Sequence, residues 1–169
     1  DDLERLAERH DLEIHAIGLG QHVHFRELSR IGRHRKAHER VILHEVASFA
    51  RYQDTNAACD VALDIFEPND ERRLSYSTRA VSALAAGCPV ITMSFTEIGR
   101  LVAETGAGWT LDTFCVDALQ DLLARLCANP DEVAAARRRT ETFWRSYIDP
   151  ARQIAPLVDM LRSDARNVG

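Results

Sequence analysis

Ten residues near the middle of the chain, Ser82-Ala83-Leu84-Ala85-Ala86-Gly87-Cys88-Pro89-Val90-Ile91, constrain its fold more than any other stretch. They read as the end of a helix, its stop and a buried strand. Ala80 to Ala86 are mostly strong helix formers. Gly87 stands where a helix closes in the left-handed conformation, and Pro89 cannot continue it. Val90, Ile91 and Met93 then form a short apolar run of strand type. The same alternation recurs along the chain. Strands are expected at 13–18, 41–44, 61–66, 90–93 and 108–111, with helices between them at 51–58, 80–86 and 97–104. Residues 116–128 form an amphipathic helix with Leu119, Leu122, Leu123 and Leu126 on one face. Helices at 132–147 and from Pro150 to about 162 complete the chain. Strands alternating with helices imply an α/β fold with a parallel sheet covered on both faces. The expectation is one three-layer Rossmann-like domain over residues 1–169, with C-terminal helices at about 131–165.

The chemistry gathers just before the central helix. Glu71 to Ser77 reads as a loop, and Ser75 and Ser77 are N-cap candidates, since a hydroxyl oxygen accepts from a free amide of the first turn. The positive end of a helix and its unpaired amides attract anions, phosphate above all. Ser77 and Thr78 add hydroxyl donors, and Arg79 adds a permanent charge with a fork suited to phosphate oxygens. Arg79 and Ser82 are three apart and share one face, while Val81, Leu84 and Ala85 occupy another. Arg79 is therefore expected to stand clear of the core. An ordinary capped helix with a surface arginine fits the same spacing.

The run from Leu63 to Met93, with "ALAAGCPVI" at its centre, resembles the donor-binding half of GT-B glycosyltransferases, in particular the large retaining family 4 and its relatives. Those enzymes have an alanine-aspartate-valine strand motif, then a loop, then a helix reading roughly "EAMAAGxPVV". Ala58-Cys59-Asp60-Val61 and Ser82 to Ile91 are the matching positions, and Glu71 to Arg79 is similar to a branch with "ERxxSxxTR" before the helix. The resemblance continues through Glu97 to Asp112 and covers most of residues 41–128. It implies the C-terminal half of a GT-B fold and a hexosyltransferase-type activity, moving a sugar from a nucleoside-diphosphate sugar to an acceptor hydroxyl, in polysaccharide or glycoconjugate synthesis. It implies that Arg79, Ser77 and Thr78 hold the donor phosphates. Glu45, Val46 and Ala47, in the loop after the second strand, would meet the nucleotide base through main-chain groups, and Glu71 and Ser82 would face nucleotide or sugar. The donor is a substrate, and no separate cofactor is implied. The acceptor, a glycan or lipid-linked glycan, would be bound by a further domain, which leaves room for peripheral membrane association.

One departure stands out. The family usually has a glutamate or aspartate where this chain has Ser82, and the partner acid eight residues earlier falls on Leu74. A non-catalytic relative that binds nucleotides or acts as a scaffold is therefore a second reading, and a nucleotide-sugar epimerase a third. Asp1 to His10 already reads as helix, no initiator methionine opens the chain, and a complete GT-B enzyme needs two such domains. The chain is expected to be the C-terminal half alone.

Charge and composition set outer limits. A net charge of −5 argues against a general nucleic-acid binder. No apolar run approaches the ~18 residues of a membrane span. Cys59, Cys88, Cys115 and Cys127 show no C-x-x-C spacing, so reduced, buried thiols in a cytoplasmic protein are expected. All seven histidines lie between His10 and His44. The pairs His22/His24 and His34/His38 have spacings that could bind zinc, but arginines and Lys36 surround them and no cysteine accompanies them. A solvated basic segment is the plainer reading, and no metal site is expected.

Overall fold

The computed structural model describes residues 7–17, 40–44 and 48–167. Among the described residues the strands are β1 (Ile14–Ile17), β2 (Val41–His44), β3 (Ala62–Asp64), β4 (Val90–Met93) and β5 (Gly108–Leu111). Helices include α1 (Phe49–Ala58), α2 (Asp70–Leu74), α3 (Thr78–Ala85), α4 (Glu97–Thr105), α5 (Val116–Ala128), α6 (Pro130–Phe143) and α7 (Pro150–Asn167), with a π-helical turn at Trp144–Ile148. Every strand pairing among the described residues is parallel, so the expected α/β class is the one the chain adopts. The strands form two sheets, β1-β2 and β3-β4-β5, where a single sheet is expected from the sequence. The ladder of β3 is only three residues long, and all of it goes to β4.

The chain forms two compact units, residues 1–55 with 115–130 and residues 56–114 with 131–169. In the first, β1 and β2 pair from Ile14↔Val41 to Ile17↔His44. His15 and His44 stack with ring centroids 5.0 Å apart and share a 2.8 Å hydrogen bond between Nδ1 and Nε2, while His15 Nε2 meets Glu13 Oε1 at 2.6 Å. Helix α5 buries Leu119, Leu122, Leu123 and Leu126, the stripe that its periodicity predicts. Cys115 and Cys127 lie outside that stripe and are exposed, which corrects the expectation of buried thiols.

In the second unit β4 is central and buried along its whole length. Val90, Ile91 and Met93 are 0% exposed; full burial of such side chains stabilises the fold by about 1.5–3 kcal/mol each. Ala80, Ala83 and Leu84 of α3, Ile98, Leu101 and Val102 of α4, and Phe143 complete this core. Gly87 has φ +81°, the left-handed value that its place after α3 requires. Gly99 opens a close approach, since a Cβ there would lie 2.0 Å from the carbonyl oxygen of Met93. Thr96 caps α4, its Oγ1 accepting from Gly99 N at 2.9 Å.

The stretch expected as a loop before α3 contains a helix. Asn69 Oδ1 accepts from Arg72 N at 2.8 Å and so nucleates α2. Asp70 and Glu71 in its first turn and Arg72 and Arg73 in its last suit the helix dipole. Arg137 of α6 is a brace that the sequence does not reveal. It donates to three carbonyls, Ala57 at 3.3 Å, Gly87 at 3.2 Å and Cys59. The end of α1, the approach to β3 and the stop of α3 are thereby joined. Along α7, Ile154, Leu157, Met160 and Leu161 are exposed. No helix among the described residues is long and apolar enough to cross a membrane.

Candidate functional site

In open parallel sheets, ligands bind outside the carboxyl ends of the strands. In the second unit that edge is formed by Asp64 at the end of β3, the end of β4 and the loops that follow. The N-terminus of α3 comes to the same edge, because Arg79 Nε donates to Asp64 Oδ1 at 3.0 Å. Asp64 is 2% exposed and the Arg79 side chain 59%. One guanidinium N–H is thus anchored on a buried carboxylate, and the rest of the fork reaches solvent. Arg79 stands clear of the core, as expected, and the feature that the sequence did not announce is the buried acid at a strand end that holds it.

Ser77 is the N-cap of α3, with Oγ accepting from Ala80 N at 3.4 Å, and it is buried. Its oxygen serves the cap, so its hydroxyl hydrogen is the group left for a ligand. Thr78 and Arg79 follow in the first turn, both exposed. Ser82, one turn on, is half-buried, and Glu71 is exposed on α2. Ser77, Thr78 and Arg79 are therefore brought together at the strand edge with Asp64. Glu45, Val46 and Ala47 lie outside the described residues, as do His22, His24, His34 and His38.

The hydroxyls in and after β4 divide by role. Thr96 is committed to the α4 cap. Ser94 Oγ donates to Asp112 Oδ1 at 2.7 Å. Thr92 stands in register with Asp64, and both are buried. Among the described residues, Thr92 Oγ1 and Asp64 Oδ2 have no hydrogen-bond partner.

Sequence reasoning missed Asp64, Phe66 and Phe95. The available signal was a carboxylate inside an apolar strand run and an aromatic residue two positions beyond each of two neighbouring strands. The two rings meet edge-on, centroids 5.9 Å apart at 81°. The guanidinium carbon of Arg72 lies 4.9 Å from the Phe66 centroid, and that of Arg73 lies 5.7 Å from the Phe95 centroid.

Cys88 lies behind this edge in the core, and burial, its largest influence, pushes its thiol up to about 12. It is a packing residue whose Sγ donates weakly to Cys59 O at 3.4 Å.

No family model and no curated protein matches the sequence. Solved structures do match the fold. The chain is similar to WaaG, a glycosyltransferase involved in lipopolysaccharide biosynthesis, with a TM-score of 0.64 and 16% identity, covering 87% of this chain and 38% of WaaG. It is also similar to sucrose-phosphate synthase from Thermosynechococcus elongatus, with a TM-score of 0.65 and 17% identity, covering 96% of this chain and 42% of that one. The chain thus spans about two fifths of the length of each. Its fold is that of a Rossmann-like half of GT-B glycosyltransferases.

Proposed function

We propose that this chain is the donor-binding half of a glycosyltransferase, which moves a sugar, of hexosyl type, from a nucleoside-diphosphate sugar to an acceptor hydroxyl. The observation that carries the reading is Arg79 held on buried Asp64 beside the first turn of α3, at the carboxyl edge of the sheet. In such a transfer the leaving group is a nucleoside diphosphate, and the barrier falls when its developing negative charge is stabilised. The amides opening α3, the Ser77 and Thr78 hydroxyls and the free side of the Arg79 fork are preorganised for that charge. The bond to Asp64 fixes the guanidinium before the donor arrives, so less freedom is lost on binding. The acceptor, a glycan or lipid-linked glycan in polysaccharide or glycoconjugate synthesis, would be held by residues beyond this chain. On this reading the chain works in the cytoplasm, where nucleotide sugars are made.

Nuclear magnetic resonance of the isotopically labelled chain tests the placement. Added nucleoside-diphosphate sugars should shift the backbone amides of Ser77, Thr78, Arg79 and Ala80 first. Shifts confined to other elements would contradict it.

A second reading, nucleotide binding without transfer, is favoured by Ser82, half-buried where the family's usual carboxylate would stand, and by Leu74, 89% exposed where its partner would stand. Without those acids the ribose hydroxyls lose their usual acceptors. Sugar turnover by the protein together with its acceptor-binding half separates the two readings.

A further inference from the structure

Three arginines, Arg72, Arg73 and Arg79, belong to the elements that follow β3, and their chemical situations differ. Arg79 is bonded to Asp64, which offsets its charge. Arg72 and Arg73 have no carboxylate partner among the described residues, although Asp70 and Glu71 precede them on α2. Their contacts are aromatic. Arg72 lies over Phe66, two residues past β3, and Arg73 over Phe95, two residues past β4. Because β3 and β4 are parallel and in register, both rings leave the same edge of the sheet, where they pack against each other. Two cations on successive residues therefore share one aromatic platform.

That arrangement has a specific chemical consequence. Neighbouring like charges repel, and each stack on a phenyl ring is only a modest attraction at a partly exposed position. What the stacks do supply is order. A guanidinium resting on a ring is restrained, and its in-plane N–H donors remain available for the bidentate contacts that phosphate oxygens favour. One monovalent anion would neutralise only one of the two cations. A diphosphate carries enough charge and enough oxygens to answer both.

We propose that Arg72 and Arg73, seated on Phe66 and Phe95, form an anion site at the carboxyl edge of β3 and β4, and that this site takes a diphosphate group. The choice of diphosphate rests on the donor reading, whereas the existence of the anion site does not. The site lies outside the set Ser77, Thr78 and Arg79, and it adds a second pair of forks to the same edge.

Inorganic pyrophosphate is the direct probe, titrated calorimetrically into the chain at low and at moderate salt, with UDP, GDP and ADP as parallel ligands. Pyrophosphate should bind, and the double variant Arg72→Gln/Arg73→Gln should weaken it by about tenfold or more. Its thermal melt should stay close to that of the parent, because neither side chain is in the core. Phe66→Leu/Phe95→Leu should weaken pyrophosphate by about threefold with both arginines still present. Failure of the parent chain to bind pyrophosphate, or unchanged affinity in the arginine double variant, overturns the proposal. If a nucleoside diphosphate binds and ignores Arg72→Gln/Arg73→Gln, this inference fails while the donor reading stands. If pyrophosphate binds through the two arginines and no nucleoside diphosphate binds, the anion site stands and the donor reading fails.

Discussion

Replacing Arg79 by alanine should destabilise the fold as well as weaken any donor contact, and the structure sets the size of the effect. The substitution removes the partner of Asp64, a carboxylate 2% exposed, and breaks a 3.0 Å bond from Arg79 Nε. A hydrogen bond to a charged group contributes about 1.5–3 kcal/mol when its partner is buried. The Arg79 side chain is 59% exposed, so water and salt screen the pair, and the lower part of that range applies. The expected loss is about 1–2 kcal/mol, which lowers the melting temperature by roughly 2–8 °C in a chain of this size. Urea unfolding of Arg79→Ala, Asp64→Asn and the double variant isolates the pair. A coupling of about 1 kcal/mol is expected, because the residues touch and share one bond. A coupling below about 0.3 kcal/mol, with Arg79→Ala unfolding at the parent's midpoint, would show that the pair contributes nothing and that Arg79 is an ordinary surface arginine.

Two further outcomes follow from the packing. Arg137→Ala removes a donor to the carbonyls of Ala57, Cys59 and Gly87; it should cost about 2–4 kcal/mol in urea unfolding, with Arg137→Lys recovering only part, because an ammonium lacks the planar fork. In the native chain Cys115 and Cys127 should react with a thiol reagent at neutral pH, while Cys88, buried and with its thiol pushed up to about 12, should react only on unfolding. Rapid labelling of Cys88 in the folded state, read by mass spectrometry, would contradict its place in the core.

Much of this fold was legible because its strongest signals are local. Gly87 and Pro89 mark the stop of α3 through backbone conformation alone, and Val90 to Met93 are apolar enough to announce a buried strand. Ser77 reads as a cap from its chemistry and is one. Helix α2 is not legible because five residues carry no periodicity, and its start depends on one side-chain bond to Asn69. Asp64 reads only as part of a strand, since nothing in Ala62-Leu63-Asp64 says that an arginine fifteen residues later will reach back to it. Arg137 is invisible for a similar reason: its three acceptors are carbonyls, a group that every residue has, and they meet only in the folded chain. The cysteines illustrate the opposite error. Cys127 follows Leu126 in an amphipathic helix, and a single step around α5 carries it from the buried stripe to solvent.

The central claim is that the carboxyl edge of β3 and β4 binds a donor diphosphate through Arg79 and the first turn of α3. Calorimetric titration of the chain with UDP, GDP and ADP, each repeated on folded Arg79→Ala and Arg79→Lys, tests it most directly. At least one nucleoside diphosphate should bind, weakly, as expected of half a donor cleft. Arg79→Ala should reduce that affinity by about tenfold to a hundredfold, the equivalent of one charge-assisted phosphate contact, and Arg79→Lys should restore part of it. Binding of none of the three nucleotides, or equal affinity in the parent and in Arg79→Ala, would contradict the account.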